Sequence, residues 1–414
     1  MSILTKRRII LGSAVSALAI APFVIRNCRK TTQLPMASTA SSRPKDPLVV
    51  PSGKVDVIRD SVTFEPLVLP DDNIRSWTLN ATLSNDNKWL FVSYCFNKDC
   101  QAKISYASLD NAGLPGTFIE LNKFESQSVI MGFGCSSFTD QGRGQFSYYI
   151  GISEEGVNAY SNSFVYAPIL HSGSEIVYAS DLVTLAKIEY RTESWMPLVL
   201  YRKNHCWLDG QNAFISVQGS FLTRTDCGDA GDNRFHNLRS LRGVRDTERR
   251  SINSNLFLDG STIGFLEAPA RERDKSEKWD GAIDSYRTDP DGLRVSLNTD
   301  GTTRFEEPFP VPSFNRNTLL TKTHCFFGSV PSIQFFLAAS LEKPQDYVHF
   351  RFSRDEIQLP DSGINYVFDP LLILPSGKHV LCARNVGTSF VSKAQELRLP
   401  LSTLGIIELP FKIG

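Results

Sequence analysis

Beyond residue 54, the apolar positions of this 414-residue chain do not recur at the 3.6-residue spacing of a helix. They fall in short runs rich in β-branched and aromatic residues, separated by polar turns, which predicts an all-β chain. The runs share one shape: an apolar strand, a turn holding Gly, Asn or Asp, then a second apolar strand. In order they are residues 79–94, 132–150, 198–217, 254–266, 321–337 and 369–384. Their turns centre near Asn87, Gly142, Gly210, Gly260, Ser329 and Gly377, at separations of 55, 68, 50, 69 and 48 residues.

A hairpin recurring about every 50 residues predicts a single β-propeller of four-stranded blades. One blade buries too little apolar surface alone, whereas a closed ring covers both faces of every sheet. Six units are read, within a range of five to seven. The last strand-like stretch, residues 397–413, is expected to pair with strands from residues 54–70 and close the ring. Tandem β-sandwich domains are the alternative, because they also use turns at regular intervals.

The N-terminus follows a different pattern. Ile9 to Ile25 is an uncharged run behind Lys6-Arg7-Arg8, the arrangement of an export signal or signal anchor over residues 1–30. Thr5 to Leu11 resembles a twin-arginine export signal, and Ala17-Leu18-Ala19 is a candidate cleavage site. If it is uncleaved, the segment keeps the chain in contact with the membrane. Residues 31–53, rich in Ser, Thr and Pro, read as a flexible spacer, leaving 54–414 for the propeller. The expected location is periplasmic or extracellular.

Charge sharpens this division. The chain holds 44 basic and 44 acidic residues, yet residues 1–45 carry eight basic residues and no acid. The body therefore has 36 basic against 44 acidic residues. An acidic exported body argues against nucleic acid as a partner. Eight cysteines show no CxxC and no Cys/His ligand spacing, so no zinc site is expected. Cys95 with Cys100, and Cys206 with Cys227, are candidate pairs, whereas Cys135, Cys325 and Cys382 read as small buried hydrophobes.

The hairpins resemble those of exported propellers, both the bacterial-neuraminidase-repeat type and the type with a PDGK-like turn. Pro375-Ser376-Gly377-Lys378 and Asn85-Asp86-Asn87-Lys88 carry the second pattern. Ser296 to Thr303 (SLNTDGTT) resembles a neuraminidase aspartate box, with Asn298 at the Asp position and Asp300 at the Gly position. The resemblance implies the propeller class, and no catalytic residue is carried over from it.

Candidate chemistry is sought on the innermost strands, whose ends gather over the channel. Asn204-His205-Cys206-Trp207 and Thr323-His324-Cys325-Phe326 repeat a local pattern just before their turns. His205 and His324 are thus candidate proton-transfer residues, with Tyr201, Arg202, Arg250, Asn255 and Asp369 as candidate ligand-binding residues. This mixture suits a glycan or a small anionic ligand, bound and, in an enzyme, cleaved. A non-catalytic scaffold binding an envelope protein partner is the other reading.

The stretch 234–250 is the densest basic one and a candidate polyanion contact. The preceding Asp226, Asp229 and Asp232 lack EF-hand spacing, and no metal or other cofactor is expected. Phosphate loops, nucleophile elbows and HExxH helices are missing from the sequence, which disfavours nucleotide chemistry, common serine esterases and zincins.

Overall fold

In the computed structural model the described residues are 55–70, 79–95, 102–121, 130–153, 160–172, 175–178, 184–188, 205–209, 211–218, 221–227, 234–241, 250–252, 254–269, 288–289, 292–309, 311–312, 318–327, 335–343, 347–352, 354–359 and 362–413. The expected export segment and spacer, Cys28, Cys100, Tyr201 and Arg202 lie outside them, as does the side chain of Cys95. Among the described residues no helix is long and apolar enough to cross a membrane.

Among the described residues, six sheets of four or five strands form a β-propeller, and a two-stranded sheet, Thr288–Asp289 with Val311–Pro312, is an addition to it. In chain order the blades begin with the inner strands Asn80–Leu83, Ile130–Cys135, His205–Leu208, Arg250–Ile252 (continued by Phe257–Asp259), Leu319–Leu320 and Tyr366–Ile373. Each blade then steps outward through antiparallel strands. The connections from strand one to two and from three to four share one rim, here the turn rim. Those from strand two to three, and from one blade to the next, share the opposite loop rim.

Apolar packing between blades closes the ring. Ile215 and Leu222 of the third blade pack with Ile263, Phe265 and Val295 of the fourth. Phe352 of the fifth blade stacks on Phe368 of the sixth, with ring centroids 3.8 Å apart. Leu381 and Leu404 of the sixth meet Leu90 and Val92 of the first. Phe91 of the first meets Phe146 of the second at 5.7 Å. Inner strands also touch through the bridges Ser84–Cys135 and Ser254–Thr318.

Closure uses the segment expected from the sequence. Phe64–Pro66 forms the outermost strand of the sixth blade, antiparallel to Ser402–Glu408. Val55–Val62 adds a fifth strand to the fifth blade, parallel to Tyr347–Phe352. The Phe64 ring lies so close over Gly405 that a Cβ there would stand 2.3 Å from it. Glycine at 405 is therefore a packing requirement of the closure.

Five of the six expected turns are first turns of blades. Asn87, Gly142, Asn212, Gly260 and Gly377 all have positive φ there, a conformation that Gly and Asn adopt most readily. The sixth is corrected. Ser329 falls between the second and third strands of the fifth blade, His324–Phe327 and Phe335–Ser340. The first turn of that blade is residues 321–323, built without Gly or Asn. The Thr321 hydroxyl accepts the His324 N–H at 3.0 Å, and the Thr321 N–H donates to the His324 carbonyl at 2.9 Å.

Candidate functional site

The position of the first turn of the fifth blade, at residues 321–323, decides the fate of the repeated His pattern. His205 opens the first strand of its blade, at the loop rim. His324 opens the second strand of its blade, at the turn rim. The two histidines therefore occupy different strand positions and opposite rims, and do not converge.

Their surroundings differ as well. The His205 ring stacks on Phe214, with centroids 4.8 Å apart and an interplanar angle of 13°. A Cβ on Gly134 of the second blade would stand 3.2 Å from His205 Cδ2, so the imidazole is wedged between two blades. Burial pulls its pKa down to about 3, leaving it neutral near pH 7. His324 is half-buried, stacks on Phe411 at 5.5 Å and shares a 2.8 Å hydrogen bond with the Thr323 hydroxyl. Burial lowers its pKa too.

Asn255 lies on the inner face of the fourth blade, between Arg250–Ile252 and Phe257–Asp259. Its side-chain amide accepts the Leu320 N–H at 2.6 Å and donates to the Leu320 carbonyl at 3.1 Å. It thus continues backbone pairing from one blade into the next. Asp369 sits within the first strand of the sixth blade, half-buried. Its carboxylate accepts a 2.7 Å hydrogen bond from Asn385 Nδ2, and Ser402 donates to Asn385 Oδ1 at 2.6 Å. This relay crosses three strands and fixes both the Asn385 amide and the Asp369 carboxylate.

Arg250 opens the first strand of the fourth blade and pairs with Glu267, which is fully buried on the second strand. Arg239, on the outer strand of the third blade, pairs with the same carboxylate at 2.7 Å and with Glu306 at 2.5 Å. Desolvation works against the Arg239 charge, but hydrogen bonds to Glu306 and Glu267 outweigh it, so the pKa rises. The basic stretch is consequently not one solvated loop. Arg234–Ser240 is a strand, and Arg239 from it joins Arg250 in neutralising a buried acid between blades. Residues 242–249 lie outside the described residues.

Asp226 is occupied by Arg224 at 2.7 Å and His236 at 2.9 Å. Among the described residues no group of His, Cys, Asp and Glu is arranged to hold a metal ion. The expected Cys206–Cys227 pair is corrected: both thiols are free. Cys206 pairs in register with Ile215 on the second strand, while Cys227 follows the third strand near Asn212 at the other rim. Cys135, Cys325 and Cys382 are buried, as the small-hydrophobe reading expected.

The aspartate-box-like segment spans the third turn of the fourth blade. Asp300 Oδ1 accepts the Thr302 N–H at 2.8 Å and the Thr302 hydroxyl at 2.6 Å, which holds the carboxyl below its usual range. The box is a brace for its own turn. Sequence reasoning missed Glu267, Asn385 and Arg384. The signal available was a lone charge inside an apolar strand, as in TIGFLEAP and HVLCARNV.

The molecule thus belongs to the β-propeller class. No family model and no curated protein matches the sequence. Among solved structures it is similar to the NanB sialidase of Streptococcus pneumoniae, at 8% identity and a TM-score of 0.44, over 84% of this chain and 70% of that one. It is similar also to YCF48 solved with a D1 peptide, at 8% identity and a TM-score of 0.36, over 84% of this chain and 97% of that one.

Proposed function

We propose that the protein is an exported, non-catalytic propeller of the cell envelope that serves as a scaffold for a protein partner. One observation carries this reading: the two histidines suited to proton transfer sit on opposite rims, and His205 is enclosed and neutral. General acid–base work needs a titratable group within reach of the substrate. Asn255 is engaged in joining its blade to the next, and Arg250 in pairing with the buried Glu267 of its own blade.

The distribution of exposed apolar residues supports a protein partner. Ile119, Phe235 and Phe305 lie on the outermost strands of the first, third and fourth blades, and Val68 follows that of the sixth. Exposed aromatics on a perimeter suit a protein contact better than a sugar held in a concave site.

The test places photo-crosslinkers at Phe235 and Phe305 in intact envelopes and compares a His205→Ala/His324→Ala double variant on a glycan array and on chromogenic glycosides. Discrete protein adducts at the perimeter, unchanged by the double substitution, are expected. Glycoside turnover lost on replacing the histidines would overturn the reading in favour of a glycan-cleaving enzyme.

A further inference from the structure

We draw no further inference here: the strongest candidate, the exposed outer strand Thr303–Pro308 of the fourth blade with Phe305 on it, carries nothing, because its Glu306 and Glu307 are already paired with Arg239 and Arg294 of the same chain and nothing in the structure shows what covers the strand.

Discussion

His205 shows how one residue can look chemical in sequence and be structural in the fold. The Cys and aromatic residue that follow it give it the same local pattern as His324, but its ring is packed between Phe214 and Gly134. Its folded pKa of about 3 lies below the ordinary 6.5, so the unfolded chain takes up the proton first as pH falls. The contribution of neutral His205 is therefore fully present above pH 6.5 and is lost as pH falls towards 3, by up to ~1.4 kcal/mol per pH unit. His205→Phe should flatten the acid side of the stability profile in that window. Thermal unfolding measured across pH will check this; an unchanged slope would mean the ring is not buried.

At the scale of elements, the first turns of the blades were largely legible because their chemistry is local. Asn85-Asp86-Asn87-Lys88 and Pro375-Ser376-Gly377-Lys378 are both first turns, each with its third residue at positive φ. In each, a short polar side chain caps the turn: Asp86 accepts the Lys88 N–H, and Ser376 does the same for Lys378. The turn at residues 321–323 was missed because a hydroxyl does this work without a backbone marker. Gly377 carries a further demand, since a Cβ there would stand 2.4 Å from the Ile413 carbonyl oxygen. Gly377→Ala should thus destabilise the protein by about 1–3 kcal/mol through backbone strain, with the clash adding to it. Urea unfolding should show a lower midpoint at unchanged slope.

At the scale of the molecule, the ring depends on two strands near the start of the propeller. Val55–Val62 and Phe64–Pro66 cover the outer edges of two neighbouring blades, with Phe64 stacked on Phe368 edge-on at 5.5 Å. Uncovered, those edges would present unpaired backbone groups and a template for association. A chain beginning at residue 54 should elute as the full-length chain does and unfold cooperatively. One beginning at residue 67 should associate and melt over a broad range, as read by size-exclusion chromatography and calorimetry. Equal behaviour of the two truncations would show that the closing strands are dispensable.

The sequence by itself determined the strand rhythm, the propeller class and most first turns, since alternation and turn conformation are set by residues a few positions apart. It also marked the terminal segments as closing partners. Only the tertiary structure decided which strand of a blade each residue joins and which neighbour its side chain meets. In the fifth blade the stretch at His324 opens the second strand and not the first, which puts His324 at the turn rim. Glu267 is held by arginines from two blades, and the Phe64 N–H donates to Glu356 across 292 residues of chain. Such pairings depend on how blades twist and stack around the ring, and no local spacing encodes that.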